Sequence, residues 1–301
     1  MTRFKARGLA VSASQALVYR HGRRGPCLSN TPTSSKRATN PGRTQSRERC
    51  PLCGGSQYAP LLSHDGWDLV QCSGCGLAYL PRIAADDLVT TDLEWSAAFS
   101  QDRRQRWLKT PWMRLWTLVT MWVHPSREAS ALRWIRRYTP RGRLLDLGCG
   151  NGRLVAAALD AGYDAFGVDV SLLMIRKALR RVPPERVQCG RLTDLDQPAG
   201  SFDVAVSMSY LEHEPRPAET VRRVFELLRP GGLTAHKVPN YDSRLRRVLG
   251  RRWSGYRWPS HVQYFTPTTL GRLLEKAGFE IVGVRANPWG DNFWIAGRKP
   301  A

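Results

Sequence analysis

Two pairs of cysteines, Cys50 with Cys53 and Cys72 with Cys75, are separated by eighteen residues. A Cys-x-x-Cys segment folds as a tight knuckle whose backbone N–H groups point at thiolates. Two knuckles bring four sulfurs into a tetrahedron, the arrangement that suits Zn2+. Four protein ligands leave the ion no open position, so the metal expected here is structural. Gly54 and Gly76 follow the knuckles, where the chain must turn back. A redox pair is expected beside a βαβ unit, and neither pair has one. Two local disulfides are the other use of these residues.

A second set lies at 144–152, LLDLGCGNG. Leu144 and Leu145 read as a short apolar strand that runs into Asp146. Gly148, Gly150 and Gly152 then form a turn ahead of a helix striped by Leu154, Val155, Ala158 and Leu159. Glycines at such a turn let the backbone bend sharply and let a ligand lie against bare main chain. The D-x-G-x-G-x-G spacing closes up by one residue the G-x-G-x-x-G of dinucleotide sites. Asp169 follows Gly150 by nineteen residues and ends a second strand at 165–168. An acid so placed can accept hydrogen bonds from both hydroxyls of a ribose.

These residues need a scaffold, and the C-terminal half supplies one. Short strands are expected at 187–189, 202–207, 233–238, 281–284 and 293–296. Helices alternate with them, faced by Leu172, Ile175 and Leu179, by Val221, Val224, Phe225 and Leu228, and by Leu270, Leu273, Leu274 and Ala277. Ser171 and Thr266-Pro267 are helix starts; Arg229-Pro230-Gly231-Gly232 and Gly278 are stops. This alternation specifies an α/β fold, a parallel sheet with helices on both faces.

The rest of the chain divides by composition. Residues 1–49 hold eleven Lys or Arg against one acid, Glu48, and so carry +10 of the net +21. They lack periodicity and are expected to be a disordered basic tail. A transit peptide, a wrongly assigned start and a plain tail all fit that composition. The zinc ribbon is expected over 50–82, a helical cap or linker over 83–140, and the catalytic domain over 141–301. Ala131, Trp134, Ile135 and Tyr138 give the linker one amphipathic helix. Its Trp-rich stretch, 112–123, can pack over the site or lie on a membrane surface. No run of eighteen apolar residues is present, so no membrane span is expected. The cysteine pattern suits metal in a reducing compartment, and the expected location is cytoplasmic.

About half of the chain, 138–296, resembles the class I S-adenosylmethionine (SAM) dependent methyltransferases. The motifs that carry the resemblance are LLDLGCGNG, Val168-Asp169, Ser201-Phe202-Asp203-Val204, Leu211-Glu212-His213, Leu228-Arg229-Pro230-Gly231-Gly232 and the segment 261–278. Pro239-Asn240, Trp253 and HVQYFTPTTL look like a subgroup that also bears an N-terminal zinc ribbon. That subgroup is connected with sugar or polysaccharide biosynthesis and is similar in its core to ubiquinone-type O-methyltransferases. The resemblance implies SAM as methyl donor and a Rossmann-like, seven-stranded, mostly parallel sheet ending in an antiparallel hairpin. In that reading Gly148, Gly150 and Gly152 approach the methionine moiety, and Asp146 receives its amino group. Asp169 takes the ribose. Val170 and Leu192 flank the adenine, with Thr193 or Asp194 near its exocyclic amine. Met208 lies where the resemblance places contacts near the sulfonium.

Methyl transfer from a sulfonium is mostly positioning plus a general base. His213 and His261 lie in segments expected at the C-terminal ends of strands, and either can serve as that base or fix a loop. Glu212 can orient a histidine or, in some relatives, help hold a divalent ion. The segment Ser207-Met208-Ser209-Tyr210-Leu211 lacks the Asn/Asp-Pro-Pro-aromatic motif of enzymes that methylate base amines, which favours O- or C-methylation. Residues 241–258 interleave Arg244, Arg246, Arg247, Arg251, Arg252 and Arg257 with Trp253, Tyr256 and Trp258. They can form a lid over an anionic, sugar-related or carrier-linked small molecule, a patch for RNA, or a solvated loop. Three functions follow: methylation of such a small or carrier-linked acceptor, methylation of RNA, or a non-catalytic SAM-fold binding module.

Overall fold

The computed structural model describes residues 44–64, 66–84 and 126–301. The N-terminal unit holds β1 (Thr44–Ser46), β2 (Tyr58–His64), β3 (Trp67–Cys72), β4 (Ala78–Tyr79) and β5 (Arg82–Ala84). After α1 (Arg127–Ile135) come β6 (Arg143–Leu147), α2 (Arg153–Asp160), β7 (Asp164–Asp169), α3 (Leu172–Ala178), β8 (Val187–Cys189), β9 (Phe202–Met208) and α4 (Pro217–Leu227). The chain ends with β10 (Leu228–Pro239), α5 (Arg244–Leu249), β11 (Gln263–Tyr264), α6 (Pro267–Lys276), β12 (Glu280–Ala286) and β13 (Asn292–Arg298).

Seven strands form the central sheet in the order β12-β13-β10-β9-β6-β7-β8. The five from β10 to β8 run parallel, and β13 is antiparallel to both of its neighbours. This is the expected α/β architecture with its terminal antiparallel hairpin. Successive strand residues point to opposite faces, and the sequence supplies apolar residues for both. Leu145, Phe202 and Ala205 pack beneath Val221, Val224, Leu270 and Leu274 of α4 and α6. Leu144, Val204 and Val206 pack on the other face with Ile135, Val155, Ala158 and Ile175 of α1, α2 and α3. Ser171 caps α3 through Met174 N–H, and Thr266 caps α6 with Pro267 at its first turn, both as expected.

Two boundaries differ from the expectation. The basic tail was expected through residue 49, but Thr44–Ser46 is a strand paired antiparallel with Arg82–Ala84. The other strand of that pair, 82–84, takes in the last residue of the expected ribbon and the first two of the expected helical linker. Polar residues such as Thr44, Gln45 and Ser46 carry no periodic signal, so only the pairing across sequence reveals them. Residues 1–43 and the Trp-rich stretch 112–123 lie outside the described residues. No helix among the described residues is long and apolar enough to cross a membrane.

The N-terminal unit is joined to the catalytic domain by a sheet of order β11-β4-β3-β2. Gln263 pairs with Tyr79 and Tyr264 with Ala78. A third core cluster fills the joint: Leu69, Ala78, Leu80 and Ile83 from one side, Tyr241, Trp253, Val262 and Tyr264 from the other.

His236, in the middle of β10, is fully buried between Ser207 Oγ at 2.9 Å from Nδ1 and Thr234 Oγ1 at 2.8 Å from Nε2. Burial pushes its pKa down to about 3. The folded chain then binds fewer protons than the unfolded chain below the free histidine value of about 6.5, so stability falls as pH drops through that range. Replacing His236 by Gln is expected to flatten the loss of unfolding free energy between about pH 6 and 4 by up to about 1.4 kcal/mol per pH unit. Urea denaturation at a series of pH values measures this; an unchanged slope would show that His236 is protonated in the fold.

Candidate active site

The glycine turn leaves β6 at its C-terminal end. Gly148, Gly150 and Gly152 all take left-handed φ, at 69°, 53° and 74°. Nothing lies within 4 Å of where a side chain at Gly150 would project, so the main chain there is bare. Gly148 is closed on one side, because its added carbon would meet the Tyr210 ring at 2.6 Å. The turn is pinned from β7: the N–H groups of Gly148 and Cys149 donate to Val168 O at 2.9 and 3.0 Å.

Asp169 ends β7 and holds two elements at once. Its Oδ2 accepts Gly150 N–H at 2.8 Å and its Oδ1 accepts Ser171 N–H at 2.8 Å. An ionised carboxylate has about four lone-pair positions, so two remain for a ligand. Asp146 is buried at the end of β6. Burial, then the neighbouring Asp169 and Glu128, holds its pKa well above the carboxylate range. A cationic group brought to this point would relieve that cost.

The other expected donor contacts spread outward. Val170 follows Asp169 and is half-buried. Leu192 is buried in the core with Leu195 and shows only one edge to a small cleft, shared with Thr193, Tyr210 and Glu214. Asp194 Oδ2 accepts Arg191 N–H at 3.4 Å. Met208 is half-buried at the end of β9, against the core of the α1–α3 face.

The two histidines come together. Their rings meet edge to face, with centroids 4.6 Å apart. His213 Nδ1 lies 2.8 Å from Ser260 O, and His261 Nδ1 lies 2.7 Å from Gly255 O. A ring nitrogen that faces a carbonyl carries the proton, so Nε2 holds the lone pair in each neutral ring. Burial lowers the pKa of His213 to about 4. Burial, then the neighbouring His213, takes His261 well below the usual histidine value. Glu212 is 1% exposed, and neither carboxylate oxygen completes a hydrogen bond. Burial raises its pKa to about 8. Glu212, His213 and His261 each offer a donor atom within 4.8 Å of the others. Such a set can accept a proton, and its mix of imidazole and carboxylate also fits a divalent cation.

Sequence reasoning missed the residues that build this cluster. Ser209 takes φ of 60°, a conformation that among the described residues only glycines otherwise adopt with positive φ. It turns the chain off β9 and aims Glu212 and His213. Tyr210 links the cluster to the donor turn: its ring lies against Gly148 and its hydroxyl donates to Glu214 Oε2 at 2.8 Å.

The arginine-rich segment, for which a lid, an RNA patch and a solvated loop were all open, places its aromatic residues in the core. Trp253 is buried, and its Nε1 donates to Asp291 Oδ1 at 3.0 Å. Tyr256 and Trp258 pack with Tyr241 and Tyr264 in the third core. Arg246 lies 4.1 Å over the Tyr241 ring, and Arg247 pairs with Asp242. The aromatic rings that could have stacked a ligand meet each other edge-on or at a tilt, because the N-terminal unit offers them an apolar surface to bury.

At the knuckles, Cys50 and Cys75 sulfurs are 3.6 Å apart and Cys53 and Cys72 sulfurs 3.4 Å. All four lie within 4.8 Å of one another. Zn–S bonds of about 2.3 Å in a tetrahedron require S···S separations of about 3.8 Å, so these residues fit the ion.

Residues 123–284, more than half of the chain, match the family described as Methyltransferase domain. The chain belongs to this methyltransferase family. It is a SAM-dependent methyltransferase. The methyltransferase is 32% identical over 195 residues to the ubiquinone biosynthesis O-methyltransferase of Aromatoleum aromaticum, covering 58% of this chain and 82% of that one. It is 31% identical over 210 residues to the enzyme of that name from Ralstonia nicotianae, covering 58% and 86%. Among solved structures it is similar to a SAM-dependent methyltransferase of Thermotoga maritima, described as a possible histamine N-methyltransferase. That likeness has 22% identity and a TM-score of 0.49, over 66% of this chain and 95% of the other. The family match begins after the four cysteines, so the ribbon is an addition to the catalytic domain.

Gly150→Ala separates binding from folding. The new methyl would fill the open face, while left-handed backbone for alanine costs only about 1 kcal/mol. SAM affinity by calorimetry is expected to fall at least tenfold, with the thermal midpoint lowered by only a few degrees. Wild-type affinity in this variant would place the methionine moiety elsewhere.

Proposed function

We propose that this methyltransferase transfers the SAM methyl group to a hydroxyl of a small or carrier-linked acceptor. The observation that carries this is the pair of half-buried His213 and buried His261, each with its Nε2 lone pair fixed, adjoining Glu212 beyond β9. An alcohol or phenol must lose its proton as it attacks, whereas an amine acceptor needs no base before attack. The O-methyltransferase relatives point the same way. A sugar-related acceptor agrees with the ribbon-bearing subgroup that the sequence resembles.

In this reading Asp146 receives the donor's ammonium, Asp169 its ribose, and the bare main chain at Gly150 its methionine end. Val170 and the exposed edge of Leu192 flank the adenine, and Met208 borders the sulfonium. SAM bound there would supply the methyl group: the acceptor oxygen would form the new O–C bond as the C–S bond breaks and its electron pair returns to sulfur. The acceptor proton passes to a histidine Nε2. The four cysteines hold a structural Zn2+, which supplies no chemistry to the reaction and closes the two knuckles.

Two measurements test this. Incubation with radiolabelled SAM and a lysate is expected to place label in small, nuclease-resistant material, and Asp169→Ala is expected to cut that label at least a hundredfold. Label in a ribonuclease-sensitive fraction would overturn the small-acceptor reading in favour of RNA. Separately, titration with an organomercurial is expected to release one thiolate-bound zinc per chain, with loss of thermal stability. Release of none would leave the knuckles as disulfides or free thiols.

A further inference from the structure

The N-terminal unit does more than cover the domain. Arg47 reaches 168 residues along the chain to Pro215 and 216 to Gln263. Its guanidinium donates to Val262 O at 2.8 Å, Leu80 O at 3.2 Å, Gln263 Oε1 at 3.3 Å and Pro215 O at 3.4 Å. Gln263 Nε2 in turn donates to Leu211 O and to Glu214 O, each at 2.6 Å. Val262 N–H donates to Glu212 O at 2.8 Å.

Two loops are tied by this knot. One, 211–215, carries Glu212 and His213. The other, 261–263, carries His261. No regular ladder joins these loops to each other. Their relative position rests on the Gln263 amide, on the Val262 and Gln263 N–H groups that donate to Glu212 O, on the His213–Ser260 bond, and on one planar cation that bonds both. Only a guanidinium offers several donors in the fixed fork that such divergent carbonyls need.

We infer that Arg47 is a positioning residue for methyl transfer: through Gln263 it holds the His213 and His261 loops in register, so that the N-terminal unit completes the catalytic site. This rests on the histidine-base reading above. Arg47 also lies outside the residues matched to the family, so the requirement belongs to the ribbon-bearing chain.

The unit has a second anchor that serves as a control. Lys276 donates to Leu52 O at 3.2 Å and Arg272 to Cys75 O at 3.2 Å, on the side of α6. Neither touches the histidine loops. The experiment compares Arg47→Ala with Lys276→Ala in the full chain. Ring nitrogens are followed by 15N NMR of histidine-labelled protein, and SAM binding is followed by calorimetry in the same samples. In wild type and Lys276→Ala, both rings are expected to show the Nδ1–H tautomer at neutral pH. In Arg47→Ala, the His213 and His261 signals are expected to shift or broaden and the rate of label transfer to fall at least tenfold. SAM affinity should stay within twofold. Gln263→Met cuts the knot from the other side and is expected to do the same, which covers the case of an Arg47 variant that does not fold.

Unchanged ring signals and transfer rate in Arg47→Ala and Gln263→Met would overturn the inference. So would equal disturbance by Lys276→Ala, which would mean that loosening the ribbon anywhere has the same effect. Disturbed rings with normal SAM binding and no methyl transfer by the wild type would uphold the knot and reject the histidine base. Loss of SAM binding by the wild type would reject the methyltransferase reading itself, and the ring signals would still decide whether Arg47 holds the loops.

Discussion

A pairing of two residues against two governs the molecule. Gln263 and Tyr264 of β11 complete the ribbon's sheet by pairing with Tyr79 and Ala78. Without that edge, Tyr264, Trp253 and Tyr241 would lose the apolar surface of Leu69, Leu80 and Ile83 that buries them. The same short strand follows His261 directly. The position of a candidate base, the burial of an aromatic cluster and the docking of a separate unit are therefore one structural event. Edge strands elsewhere must be shielded against chance pairing. Here the edge of β4 is satisfied internally.

The donor and acceptor sides of the site follow different physical logic. On the donor side, main-chain geometry leads: three glycines bend the turn, and Asp169 fastens it to α3 while keeping lone pairs in reserve. Buried Asp146 and half-buried Asp169 make that side one where a cationic group would relieve the cost of burial. On the acceptor side, side chains lead. Two imidazoles and a carboxyl group without hydrogen bonds sit together, where in the proposed reaction a proton would move with little solvent to reorganise.

Much of the catalytic domain was legible because its signals are local. Leu144–Asp146 and the glycines after them could be read within nine residues, and Ser171 and Thr266 cap the helices they were expected to cap. The spacing of the cysteines announced the knuckles for the same reason. What could not be read depends on distant partners. The strand Thr44–Ser46 has polar residues and acquires its identity only from Arg82–Ala84. Trp253 among arginines looked like a ligand platform, and only the arrival of the ribbon makes it core. Both histidines were expected past strand ends, but neither their meeting nor the Arg47–Gln263 knot that joins their loops has a sequence signature.

The joint also imposes an order on how the protein comes to be. Leu80 leaves the ribosome long before Val262, whose carbonyl its N–H must find. The knuckles need only nearby cysteines and can close as soon as Cys75 emerges. A ribbon formed in this way waits with β4 exposed until nearly the whole catalytic domain has been made. Contacts of such long sequence separation form late and slowly. A chain whose N-terminal unit has not yet docked therefore lacks the Arg47–Gln263 knot that joins the His213 and His261 loops.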